Sequence, residues 1–188
     1  MVPVTSLWLA IVLSTVVVFV ASAILHMVLP FHEKDVRKLP TDKEDDVLDA
    51  LRRASLTAGD YGAPHPGSAA GMKDPAFVAK MTRGPVAFMT IAPGAPPSIA
   101  PNLVQWFVYS LVVSVFVAYV TGLAAGPGAD YRAVFRMASV TTFMGHALAL
   151  PQHSIWYRRD WGTTVRSMVD GLIYGLLTGG VFGWLWPR

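Results

Sequence analysis

Six side chains place ionisable or strongly polar chemistry within or beside long apolar runs: Asp170, His146, His153, His26, Gln105 and Arg166. Asp170 leads, because a carboxylate at membrane depth is costly unless it is paired or faces water. At about 1.5 Å per residue it lies roughly 10 Å inside its segment. His146, on the preceding and oppositely running segment, lies somewhat shallower, so the two are expected to be neighbours. His26 closes the first apolar segment at a similar depth. His153 and Gln152 follow Pro151, and Gln105 and Arg166 flank the same side.

Four chemistries fit these residues. Asp170 and His146 can act as hydrogen-bonding glue between helices. The same pair can carry protons or ions, as intramembrane ionisable groups often do. His26 and His153 can ligate the iron of a haem b. Arg158, Arg159 and Arg166 can hold an anionic lipid or a quinone headgroup. The first is the expectation, with no cofactor, no metal and no catalytic residue. The chain has no cysteine, which excludes disulfides, thiolate metal sites and covalently attached haem.

Conventional enzyme signatures are absent: no P-loop, no dinucleotide fingerprint, no nucleophile elbow and no His-Glu-x-x-His helix. Glu44, Asp45, Asp46 and Asp49 read as a solvated helix start. His32 and His65 read as solvated loop residues. The eight methionines show no clustered spacing and read as gap fillers.

The elements that must position these groups are membrane-length helices. The chain is 53% hydrophobic and 14% charged, and no Asp, Glu, Lys or Arg occurs between Gly84 and Ala129. Four stretches meet or approach the length of a span: Ser6–Pro30, Asn102–Ala124, Tyr131–Leu150 and Thr163–Trp186. The expected fold is an all-α integral membrane protein, a four-helix bundle forming one domain over residues 1–188. The first span reads as an uncleaved anchor, since Met1–Ser6 has no basic side chain and the apolar run is long for a signal peptide.

Lys and Arg concentrate in the connection over residues 31–101 and again at Arg158 and Arg159. Positive-inside bias puts both connections in the cytoplasm and both termini outside. The net charge of +3 is then explained by topology and anionic lipid, and nucleic acid is not an expected partner. Within residues 31–101, Thr41 and Glu44 form a capping box before an amphipathic helix over about Thr41–Leu56. Asp74-Pro75 starts a second helix running to Arg83. Gly59–Gly71 reads as loop. Gly84–Pro101, apolar but interrupted by five prolines, reads as an interfacial loop packed on the bundle.

Gly171, Gly175, Gly179 and Gly183 lie four apart, so they share one face of the last helix. In lipid such a stripe lets another backbone approach closely. Most of it is expected to pack within the chain, while Gly183 with Trp184 and Trp186 forms a ledge for another subunit. The anchor, basic loop and glycine-rich last span resemble in style small bacterial inner-membrane proteins. That resemblance implies a bacterial-type inner (plasma) membrane and names no family. The favoured function is a non-catalytic interaction or accessory subunit, partnered by the bilayer, by copies of itself or by other membrane subunits.

Overall fold

The computed structural model describes residues 1–188, in two compact units: Met1–Val36 with Ser98–Arg188, and Arg37–Pro97.

In the first unit the apolar runs fold as helices whose starts are set by prolines and capping aspartates. Helix α1, Trp8–Ala23, is preceded by a 3-10 turn over Val4–Leu7 and followed by a π-helical turn over Ile24–Val28. Pro30 then begins a short 3-10 turn, Pro30–His32. Helix α4 covers Ala100–Ala124, with Pro101 in its first turn. Helix α5, Tyr131–Ala147, is capped by the Asp130 carboxylate, which accepts the Arg132 N–H at 2.9 Å. After the short α6, Pro151–Tyr157, Asp160 caps α7, Trp161–Trp184, by accepting the Thr163 N–H at 3.1 Å. The labels α2 and α3 belong to the second unit.

Three stretches are long and apolar enough to cross a membrane: Val4–Val28, Ala100–Ala124 and Tyr131–Tyr157, the last running from α5 through α6. The sequence reading expected four. Helix α7 has the length, but Asp170 and its glycines dilute its apolar character.

The glycine face of α7 explains how α5 and α7 pack antiparallel. A Cβ on Gly171 would lie 2.7 Å from the Ala147 Cβ, and one on Gly175 would lie 2.8 Å from the Ser139 carbonyl oxygen. On Gly179 it would meet the Phe135 carbonyl oxygen at 2.8 Å, and on Gly183 the Tyr131 ring at 2.6 Å. All four glycines therefore face α5 of the same chain. The ledge expected at Gly183 is filled by Tyr131, and Trp186 is buried, its indole N–H donating to the Gly126 carbonyl at 2.9 Å.

The N-terminal segment meets the last turn of α4, and the C-terminal segment meets the α4–α5 connection. The Val2 N–H donates to the Gly122 carbonyl at 2.9 Å, and the Gly128 N–H donates to the Pro187 carbonyl at 2.8 Å. Met1 and Arg188 thus belong to one end of the bundle, and His26 and α6 to the other.

The interior is partly polar. Leu7, Val18, Val117, Val134 and Phe182 are fully buried, but so are Ser14, Thr15, Thr142 and Thr164. Several of these hydroxyls return to a carbonyl four residues back, as Ser14 does to Ala10 at 2.7 Å and Thr142 to Ala138 at 2.8 Å. Large apolar side chains lie outside instead: Val12, Phe116, Val140 and Leu176 are each about half exposed.

The second unit contains α2, Glu44–Arg53, and α3, Pro75–Arg83, joined by a two-stranded antiparallel sheet. Strand β1, Gly59–Ala63, pairs with β2, Ala87–Ile91, in the register Gly59 to Ile91 and Ala63 to Ala87. Both strands fall where loops were expected. Along Ala87–Ile91 exposure alternates residue by residue, the period of a strand, and Thr90 donates to the Asp60 carboxylate across the ladder at 2.6 Å. The predicted capping box does not form, because α2 begins at Glu44 with Lys43 as an uncapped start. The Asp74 carboxylate does cap α3, accepting the Ala76 N–H at 2.9 Å.

Candidate functional site

Asp170 lies on the buried face of α7, one helical turn beyond Arg166, and its side chain is 5% exposed. Its partner is His32, whose Nε2 approaches the two carboxylate oxygens at 3.0 and 3.2 Å. His26 Nε2 lies 3.7 Å from the same carboxylate. The two imidazoles stack nearly parallel, with centroids 4.0 Å apart.

The rest of the chain sets up this approach. Pro30 ends the π-helical turn and folds the backbone back so that His32 points to α7. His32 Nδ1 lies 2.7 Å from the Asp35 carboxylate, which is bound in turn by Arg166 at 2.6 Å. His26 Nδ1 lies 3.1 Å from the Ser22 carbonyl oxygen. A carbonyl and an ionised carboxylate can only accept, so Nδ1 is the donor in both rings. Each Nε2 that faces Asp170 then carries a second proton, accepts the proton of a neutral Asp170 carboxyl, or offers its lone pair to a cation.

Burial by itself raises the Asp35 carboxyl. Hydrogen bonds from His32 and Arg166, together with their charges, outweigh it and hold Asp35 below its ordinary value of 3.8. The result is one alternating chain of groups: Arg166, Asp35, His32, Asp170 and His26.

Several sequence expectations are corrected here. Asp170 does not pair with His146, which sits among Trp106, Tyr109 and Tyr174 at ring distances of 5.6, 5.3 and 5.3 Å. The His146 Nδ1 is buried without a hydrogen-bond partner. His153 is exposed on α6 beside Tyr157, while His26 is engaged with His32 and Asp170, so the two do not form the haem pair weighed as an alternative. Gln105 is exposed and outside the cluster. Arg158 and Arg159 are exposed after α6, but Arg166 is committed to Asp35 rather than open to lipid. His32, expected in solvent, is 9% exposed and central.

Sequence reasoning missed His32 and Asp35. Their signal is a complementary spacing: histidine and aspartate three apart after a proline break, facing arginine and aspartate four apart on one helix face. Spacing of this kind is common, and only contact between distant segments gives it meaning.

A groove of about 200 Å³ opens beside His26, walled by Phe19, Ser22, Met27, Leu103 and Trp106. The Trp106 indole N–H donates to the Ser22 hydroxyl at 2.8 Å, which ties α4 to the end of α1.

Comparison with protein-family models, curated proteins and solved structures finds no match to this chain.

Proposed function

We propose that this chain is a four-span integral membrane protein of a bacterial-type inner membrane, with both termini outside. It works without catalysis, as a small subunit that binds other membrane components or copies of itself. The observation that carries this reading is the inverted distribution of polarity. Serine, threonine and Asp170 lie inside the bundle, while Val12, Phe116, Val140 and Leu176 lie outside it. Such an exterior is costly in water and suits lipid. Meeting of both chain ends around the end of α4 and the α4–α5 connection fits an even number of spans. The Lys- and Arg-rich connection then takes the cytoplasmic side.

The absence of cysteine gives a clean background for the test. Single cysteines are placed at Ala50 and at Arg188, and intact cells are treated with an impermeant thiol reagent. The protein should resist alkaline extraction from membranes, the terminal cysteine should label, and the one at Ala50 should label only after lysis. Labelling at Ala50 in intact cells overturns the orientation. Recovery in the soluble fraction overturns insertion. Purification from native membranes as an uncomplexed monomer, with no self-crosslinks, overturns the subunit role.

A further inference from the structure

The two histidines that follow α1 and the Asp170 of α7 have a geometry that salt-bridge packing does not require. We infer that His26, His32 and Asp170 form a binding site for one divalent transition-metal ion of the Zn²⁺ class, a claim that stands apart from the subunit role. Their ligand atoms lie within 4.8 Å of one another. In a tetrahedral site with metal–ligand distances of about 2.0–2.1 Å, ligand atoms are about 3.3 Å apart. The histidine-to-carboxylate separations, 3.0 Å from His32 and 3.7 Å from His26, bracket that value. The third edge, between the stacked histidines, is at most 4.8 Å. His26 is 48% exposed, so its ring can turn to close that edge, and the open side leaves a coordination position for water.

The surrounding bonds are those that a metal-binding histidine needs. Such a residue ordinarily donates its other ring N–H to a carboxylate or a backbone carbonyl, which fixes the tautomer and aims the lone pair. His32 does this to Asp35 at 2.7 Å, and His26 to the Ser22 carbonyl at 3.1 Å. Arg166 holds Asp35 in place. The π-helical turn over Ile24–Val28 adds an independent sign, because single π turns occur frequently at functional sites. Two imidazoles and one carboxylate, without thiolate, select borderline ions such as Zn²⁺, Co²⁺ or Fe²⁺ over Cu⁺, and over Ca²⁺ or Mg²⁺, which prefer all-oxygen sets.

The test uses the full chain in detergent, free of any polyhistidine tag and stripped with a chelator. Zn²⁺ is titrated by calorimetry, and Co²⁺ serves as a second probe through its visible absorption. One ion per chain should bind with either metal. Asp170→Asn and His32→Ala should abolish this site, and Asp35→Asn should weaken it roughly 10- to 100-fold. A His65→Asn, His153→Asn double variant should bind as the unaltered protein does. Because Asp170 and His32 are buried and their variants risk misfolding, His26→Gln provides the same loss from a half-exposed position, with circular dichroism confirming the fold. Failure of the folded wild-type protein to bind either metal overturns the inference. So does a folded His26→Gln or Asp170→Asn variant that keeps full affinity, or loss of binding in the His65, His153 double variant alone.

Discussion

His32 Nε2 and the Asp170 carboxylate meet at 3.0 Å across 138 residues of chain. Their contact is half of a matched set. Three residues after His32, Asp35 reaches Arg166, one turn before Asp170 on the same face of α7. A turn reading His-x-x-Asp thus lies antiparallel to a helix face reading Arg-x-x-x-Asp, and each basic group faces an acid. This register fixes where the chain leaving α1 crosses α7.

The two pairs differ in burial, and so in what their loss should do. Asp170 and His32 are 5% and 9% exposed, whereas Arg166 and Asp35 are 25% and 15% exposed. Asp170→Ala leaves two imidazoles aimed at nothing and should cost about 3–5 kcal/mol, as breaking a buried pair does. Arg166→Gln should cost about 1 kcal/mol or less, in the range of pairs in contact with solvent. Unfolding of the purified variants in detergent measures both. Equal losses would contradict the burial argument.

Helix α7 offers an internal control for its glycine stripe. A side chain on Gly179 would run into the Phe135 carbonyl of α5, while around Gly180 there is nothing within 4 Å of a Cβ. Gly179→Leu should therefore destabilise by about 1–3 kcal/mol or more, as overpacking does, and Gly180→Leu should unfold close to wild type. A Gly179→Leu protein that keeps its thermal stability but loses an oligomer would mean that the stripe faces another subunit.

At the opposite end, Gly122 receives the N-terminal segment. A Cβ there would clash with the Val2 carbonyl oxygen, and the Val2 N–H bonds the Gly122 carbonyl at 2.9 Å. Gly122→Val should release residues 1–3, read as faster exchange of the Val2 amide with little change in the rest of the bundle. Gly126→Ala, where nothing lies within 4 Å of a Cβ, should leave that amide protected.

Ser22 holds two neighbours through different atoms. Its hydroxyl accepts from the Trp106 indole at 2.8 Å, and its carbonyl accepts from His26 Nδ1 at 3.1 Å. Ser22→Ala removes the hydroxyl's bonds, including the one it donates to the Phe19 carbonyl at 2.8 Å, and keeps the carbonyl's. It should cost roughly 0.6 kcal/mol, and not above about 2, typical of interhelical bonds in membranes. The Trp106 emission should shift while the histidine cluster keeps its metal affinity. Loss of that affinity in the folded Ser22→Ala protein would show that the indole bond, and not the backbone carbonyl, orients His26.

Helix content, the positions of the long helices and the face that α7 packs were all legible in the order of residues. A helix needs only local information: an apolar run, a proline or aspartate at its start, and small residues four apart. The short helix Pro75–Arg83 was readable for the same reason, from Asp74-Pro75. Strands β1 and β2 were not, because β1 is short and glycine-rich, and β2 is a five-residue, mostly apolar run within a proline-rich segment. Their pairing joins residues on either side of α3. The polar cluster was half legible: Asp170 and His26 stand out as ionisable groups at depth, and sequence depth alone matched Asp170 to the wrong histidine. Depth along an axis ranks residues by height, and it carries no information about which way each side chain turns around its helix. The π-helical turn and Pro30 decided that question, bringing His32 and Asp35 back over α7 and leaving His146 among aromatic rings.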